Sequence, residues 1–241
     1  MDTRKSNQSL LKALEVVDAV ADGQRNLTGL SLRLGLPKST LHRILKGLIQ
    51  ARYIREVKGI GYVLGTKLIM LGSKAQEAMP LKELARPHLQ ELSSITQDTV
   101  HLGIRDEDEV FYLEKVPGQR PIELRSKVGE RRSLAGTGIG KALMIDLPKT
   151  EWQRLNGLAP NLVLKDTLTR MEHYSQYDYC FDLEDNEELV RCVASPIRNK
   201  YGNIIAAISV TSIKTYMPES RMNNLIHVVQ DYAKRISNSI G

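Results

Sequence analysis

Residues 35–54, "GLPKSTLHRILKGLIQARYI", decide the first part of the fold. Leu41, Ile44, Leu45, Leu48 and Ile49 recur at i, i+3, i+4, i+7 and i+8, the spacing of one helical face. Ser39, His42, Arg43, Lys46 and Gln50 fall on the opposite face. The apolar face joins a core, and the polar face needs a partner of its own. Just upstream, "NLTGLSLRLG" (26–35) reads as a shorter helix with Thr28 as its cap and Leu30 and Leu34 inward. Gly35 suits the left-handed position past its end, and Pro37 suits the start of the next helix, where a missing N–H costs nothing. Two short helices with a glycine in the joint form a helix-turn-helix pattern.

Working outward, "SLLKALEVVDAVADG" (9–23) predicts an amphipathic helix capped by Ser9, with Leu10, Leu14, Val17 and Ala21 inward and Gly23 after its end. "YIREV" (53–57) and "YVLG" (62–65) are short extended runs around "KGIG" (58–61), whose glycines allow a hairpin turn. Three helices followed by a basic hairpin predict a winged helix-turn-helix over residues 1–66. Helical spacing returns at Leu68, Leu71, Ala75 and Met79, giving a linker helix over 67–80 and a second domain over 81–241.

That second domain mixes strands and helices. "PLKELARPHLQELSSIT" (80–96) is helical, with Pro87 near a start or kink. "TVHLGIRD" (99–106) and "EVFYLEKV" (109–116) read as strands joined by "DEDE", and "IELRSKVG" (122–129) as a further strand. "GIGKALMID" (138–146) opens a helix, and two more helices follow around 149–157 and 166–176. "VRCVASPI", "RNKYGN" and "IIAAISVTS" (190–212) form a β-hairpin, and a last helix from Pro218 turns Met222, Leu225, Val229, Ile236 and Ile240 inward. The order predicts an α+β domain around an antiparallel sheet.

The composition, 41% hydrophobic and 26% charged over 241 residues, is that of a globular chain, and no stretch approaches the ~20 apolar residues of a membrane span. The N-terminus lacks the apolar core and cleavage site of a signal peptide, so the expectation is a cytoplasmic protein with no membrane partner. Cys180 and Cys192 fit a reducing compartment, and their spacing suggests no zinc site; neither a metal nor a cofactor is expected. Residues 1–70 carry 12 Lys+Arg and 5 Asp+Glu, a net +7, whereas residues 71–241 carry 22 and 23, a net −1. Positive charge confined to the first third points to a polyanion partner there.

Double-stranded DNA fits that partner. The N-terminal part of the second helix of such a motif meets base edges in the major groove, which makes Lys38, Ser39, Thr40, His42 and Arg43 the candidates. Arg55 and Lys58 in the wing are placed for the DNA backbone or minor groove. In the second domain, "AGTGIGKAL" (135–143) is not a phosphate loop, because Ala135 and Ala142 stand where Gly and Ser or Thr are required. What remains is a glycine-rich approach to a helix start, equally compatible with a carboxylate site or close packing. "DLEDNEE" (182–188) does not match a calcium loop, since Glu187 stands at the glycine position, and reads mostly as a solvated loop. Cys192 lies in an apolar run and reads as a core cysteine; the five histidines read as structural, apart from His42.

Several blocks in order resemble the IclR family of bacterial transcription regulators: "GLPKSTLHRILKGL", "YIREVKGIGYVLGTKL", "RPHLQELSSITQDTVHLG", "VGERRSLAGTGIGKAL" and "RCVASPIRNKYGNIIAAISVTS". The resemblance covers nearly the whole chain. It implies a GAF-like effector domain that binds a small organic acid and controls DNA affinity, in dimers that pair into tetramers on palindromic operators. By position it implies effector contacts from Gly138, Ile139, Asp182, Cys192, Ser209 and Thr211. Ser209 and Thr211, at i and i+2, share one strand face, so both hydroxyls can reach one ligand. The sequence departs from the family pattern at Asp185, where the family carries Glu, at Leu189, where it carries Gly, and at Ser195, where it carries Ala. The expectation is a repressor of a catabolic operon responding to a sugar acid. An activator of the same family, or an acid-transforming enzyme using Cys192, stand as alternatives.

Overall fold

The computed structural model describes residues 3–77, 80–159 and 164–240. The chain divides into two compact units, Met1–Met79 and Pro80–Gly241.

The first unit holds α1 (Thr3–Ala21), α2 (Leu27–Leu34), α3 (Lys38–Gln50), β1 (Ile54–Val57), β2 (Gly61–Leu64) and α4 (Thr66–Glu77). Val16, Ala19, Val20, Leu30, Leu41, Leu45 and Ile54 form its core, with Ile44 and Leu48 packed at the margin. Gly35 ends α2 at φ +62°, and Ser31 Oγ donates to the Leu36 carbonyl (2.7 Å), which fixes the turn that aims α3. The β1–β2 hairpin is antiparallel with Arg55 opposite Val63. Gly61, at φ +95°, lies so close to the Arg25 carbonyl that a Cβ would overlap it; that carbonyl accepts from Tyr62 N–H (2.8 Å) and docks the hairpin on the α1–α2 connection.

Three local expectations are corrected here. Ser9 lies inside α1, not at its cap, and Leu10 and Leu14 are 61% and 49% exposed. The helix extends past the small core, so only Val16, Val17, Ala19 and Val20 in its second half are covered. Asn26 rather than Thr28 caps α2, its Oδ1 accepting from Gly29 N–H at 2.8 Å. Met79, expected to continue the helical spacing of the linker, lies outside the described residues.

The second unit runs α5 (Leu81–Thr96), β3 (Thr99–Asp106), β4 (Glu109–Val116), β5 (Arg131–Ser133), α6 (Gly138–Met144), α7 (Lys149–Gly157), α8 (Leu164–Tyr177), β6 (Cys180–Leu183), β7 (Val190–Arg198), β8 (Ile204–Ile213) and α9 (Glu219–Ile240). The strands form one antiparallel sheet in the order β5-β4-β3-β8-β7-β6. β7 and β8 are buried along almost their whole length, as strands covered on both faces must be. α5 and α9 pack on each other and against β3, β7 and β8, while α6 lies against the same strands from the other side. The register sets His101 opposite Ser209, Thr211 opposite Cys192, and Cys192 opposite Asp182, so these side chains share the α6 face. The neighbours Val100, Val193 and Val210 supply the other face.

One predicted strand does not form: residues 122–129 pair with no other strand. The free edge of β4 is taken instead by the short β5, where Glu109 to Phe111 pair with Ser133 to Arg131. The chain leaves the sheet after β4 and returns through Gly129, at φ +85°, whose N–H donates to the Tyr112 carbonyl (2.8 Å). β6 takes in Asp182 and Leu183, the first two residues of the run read mostly as solvated loop, and pairs them with Cys192 and Arg191. Among the described residues no helix is long and apolar enough to cross a membrane.

Candidate functional site

On the first unit, the residues expected to meet DNA lie along α3 and the hairpin. Lys38, Ser39, His42 and Arg43 are exposed and Thr40 is half-buried; Arg55 and Lys58 are exposed on β1 and its turn. Among the described residues the ion pair of this unit joins Arg33 to Asp22, so Lys38, Arg43, Arg55 and Lys58 have no carboxylate partner. Leu41 and Leu45 anchor the opposite side of α3 in the core. The α3 surface therefore presents cations that no described carboxylate neutralises.

On the second unit, Gly138, Ile139, Asp182, Cys192, Ser209 and Thr211 all line one cavity of ≈ 40 Å³. Such a space holds about three water molecules. Thr137 sets the position of α6: its Oγ1 accepts from Gly140 N–H (3.0 Å) and donates to the Ser133 carbonyl (3.2 Å). A Cβ on Gly138 would overlap Cys192 Sγ, and one on Gly140 would overlap the Leu134 carbonyl. Both glycines are thus required by close packing, and Gly138 also faces the cavity.

The polar lining is connected. Ser209 Oγ lies 3.2 Å from Thr211 Oγ1, which lies 3.4 Å from His101 Nδ1, and His101 Nε2 lies 2.7 Å from Ser126 Oγ. His101 is 3% exposed; burial, with Lys115 adding to it, lowers its pKa to about 3. The ring is neutral at ordinary pH and offers one donor and one acceptor. Burial pushes Asp182 up to about 6 against the pull of Lys141, and its Oδ1 accepts from Asp185 N–H at 2.8 Å. Burial, reinforced by Asp182, pushes Cys192 up to about 12, which keeps it a thiol rather than a nucleophilic thiolate.

Behind the cavity sits a charge cluster that the sequence does not announce. Lys141 is fully buried; its Nζ donates to Asp185 Oδ2 (2.5 Å) and to the Phe181 carbonyl (3.2 Å). Arg170 grips the same carboxylate with two bonds of 2.8 Å. Burial works to raise Asp185, but Arg170 and Lys141 outweigh it and hold the carboxyl at about 2. The cluster pins the turn that places Asp182 and Asn186 on the cavity wall. Leu189, at the family's glycine position, keeps glycine's conformation with φ +63°.

"DLEDNEE" is mostly exposed loop, as read, with Asp182 (4% exposed) and Asp185 turned inward. One expectation changes. His101 lines the cavity, where sequence alone made it a structural histidine; only the β3–β8 register brings it to Ser209 and Thr211. Among the described residues no three His, Cys, Asp or Glu side chains form a metal-binding group.

Known proteins align with both units. The family profile described as the IclR helix-turn-helix domain matches residues 9–58, and the one described as bacterial transcriptional regulator IclR C-terminal matches residues 73–238. The HTH-type transcriptional regulator XynR of Escherichia coli (strain K12) is 31% identical over 245 residues, covering 97% of each chain. KdgR of the same strain, also an HTH-type transcriptional regulator, is 29% identical over 246 residues, covering 98% of this chain and 94% of its own. Among solved structures, Thermotoga maritima IclR has a TM-score of 0.79 at 24% identity, covering 97% of this chain and 99% of its own. An IclR homolog from Microbacterium hydrocarbonoxydans complexed with 4-hydroxybenzoate has a TM-score of 0.83 at 18% identity, covering 96% and 98%.

Proposed function

This chain belongs to the IclR family of bacterial transcriptional regulators, and on that premise we propose that it is a repressor whose operator affinity is set by a small organic acid bound in the Asp182–Cys192–Ser209 cavity. The observation that carries the reading is the convergence of six residues, spread from 138 to 211, on that one space. Arg125 at its edge supplies positive charge for an acid, beside Arg132, which pairs with Glu130, and Ser209, Thr211 and His101 supply hydrogen bonds for a hydroxyl or carbonyl oxygen. Relatives named as repressors, YiaJ at 28% and AllR at 26% identity, favour repression over activation. The relative bound to 4-hydroxybenzoate favours a carboxylate ligand. A sugar acid suits the hydroxyl-rich wall.

Lys38, Ser39, Thr40, His42 and Arg43 contact the major groove in this reading, with Arg55 and Lys58 on the flanking backbone or minor groove. A dimer sets two α3 helices about 34 Å apart on a palindromic site, and two dimers can pair as a tetramer. The acid acts by binding one arrangement of the dimer more tightly, which shifts the population competent for the operator. An enzymatic role for Cys192 has little support, because burial and Asp182 both oppose its ionisation.

The test is fluorescence anisotropy on a duplex from the protein's own upstream region and on a scrambled duplex, at two salt concentrations. Preference for the native duplex, weakening with salt and relieved by an acid such as D-gluconate, is the expected result. Equal affinity for both duplexes overturns sequence-specific control from that region.

A further inference from the structure

At ≈ 40 Å³ the cavity is too small for an acid of several carbons, yet an open groove of ≈ 700 Å³ lies beside it. Leu124, Arg125 and Ser126 line both spaces. They belong to the segment whose alternation reads as a strand and which pairs with none. Ile122 N–H donates to the Arg120 carbonyl (2.7 Å) and Gly129 N–H to Tyr112 (2.8 Å). Between those points Lys127 N–H donates to Glu130 Oε2 (2.9 Å), and side chains from the sheet hold Leu124 and Ser126. Lys115 Nζ donates to the Leu124 carbonyl (2.7 Å) and the Ser126 carbonyl (2.8 Å), and His101 Nε2 meets Ser126 Oγ at 2.7 Å. Register pairs His101 with Lys115, so the two tethers stand side by side, and His101 continues to Thr211 inside the cavity.

We propose that Leu124–Ser126 is a strap across the cavity mouth, and that Lys115 and His101 are the positioning residues that hold it shut until an acid takes their hydrogen bonds. A carboxylate offers the Lys115 ammonium a charged acceptor in place of two neutral carbonyls, and a charge-assisted bond between two ions is the stronger one. The neutral His101 can turn its free donor or acceptor toward the ligand without an ionisation step. An acid thus loosens the strap by the same contacts that bind it, whereas a neutral molecule of equal size leaves Lys115 on its carbonyls. The identity of the ligand rests on the effector reading above; the strap is testable without any ligand.

Cys192 reports on the strap, because it lines the cavity at 5% exposure, whereas Cys180 is fully buried and does not. Methyl methanethiosulfonate is small and uncharged. A cysteine thiolate attacks its sulfenyl sulfur, forming a methyl disulfide and releasing methanesulfinate, and peptide mass mapping follows each cysteine separately. Opening the strap both admits the reagent and lets the thiol ionise. With the full chain, Lys115→Met should speed labelling of Cys192 about a hundredfold or more and leave Cys180 unchanged, since two charge-assisted bonds are lost. Lys115→Arg, which keeps the donors, should restore the slow rate. Ser126→Ala removes only the hydroxyl and should give the same pattern at about threefold, so the proposal stays open to refutation even where Lys115→Met does not fold. An unchanged Cys192 rate, or equal acceleration of both cysteines, overturns the strap. D-gluconate and 4-hydroxybenzoate serve as probe acids: a faster Cys192 rate with either supports acid-driven release. If neither speeds it while Lys115→Met does, the strap stands and the acid reading falls.

Discussion

Charge is handled in opposite ways by α3 and by the cavity of the second unit. Along α3 and its hairpin, Lys38, Arg43, Arg55 and Lys58 stand in solvent with no carboxylate partner among the described residues. Around the cavity, Lys141, Arg170 and Asp185 are locked to one another, and His101 is kept neutral. Loose cations suit a partner that brings its own negative charge and fixes their geometry on contact. A small ligand has few atoms with which to organise a site, so the polar groups must already be in place. Each contrast can be broken separately.

The largest effect should come from Asp185→Ala. It leaves Lys141 fully buried without its carboxylate, and removing one partner of such a pair costs about 3–5 kcal/mol. Urea unfolding should show this as a lowered midpoint for the second unit.

Next is Asp182→Asn, read against pH. Burial holds the folded carboxyl at about 6, above its ordinary 3.8, so between those values the folded state keeps a proton that the unfolded state has lost. Stability from Asp182 is therefore present below pH 4 and is lost as pH rises through 6, a cost of roughly 3 kcal/mol at pH 7. Asn does not ionise and still accepts from Asp185 N–H. The variant should match the wild type near pH 4 and exceed it increasingly toward pH 7. His101 works in the other sense, losing stability as pH falls from 6.5 toward 3, so the variant should also unmask a steeper acid slope.

Arg43→Ala should leave unfolding unchanged, because the side chain is exposed and carries no internal pair. Operator binding should weaken by roughly 1–3 kcal/mol if Arg43 reads a base, and anisotropy on scrambled duplex should change less. Equal losses on both duplexes would make it a phosphate contact. The smallest effect belongs to Leu189→Gly, which relieves a left-handed residue and should stabilise the fold by about 1 kcal/mol or less in thermal melts.

The parts of the molecule legible in sequence are those set by local periodicity. α3 declares itself because five apolar residues fall on one face, and the β7–β8 hairpin because "RNKYGN" interrupts two apolar runs. Thr28 is misplaced as the α2 cap because Asn26, two residues earlier, is distinguished from it only by backbone geometry, and Ser9 fails as the α1 cap because that helix already runs from Thr3. The missing strand at 122–129 has the right alternation, but β5 occupies the edge it would need, and that competition spans the sheet. The six cavity residues came from family resemblance and fall together; His101 carries no local signal, since its role depends on a partner strand 110 residues away. Lys141 likewise looks like an ordinary helix lysine until Asp185, 44 residues on, is brought to it.

The pairing of β3 with β8 has a consequence for how the protein is made. β8 lies in the middle of the sheet, joining Thr99–Gly103 to Ala207–Thr211, so β3 and β7 have no common neighbour until the ribosome has passed residue 211. The first unit closes on contacts within its own 79 residues and can fold while the rest is still being translated. For that interval a nascent chain presents a finished helix-turn-helix attached to a sheet split into two halves. The last 40 or so residues therefore govern when regulation becomes possible, and a chain terminated near residue 200 would retain the α3 surface while lacking the strand that carries Ser209 and Thr211.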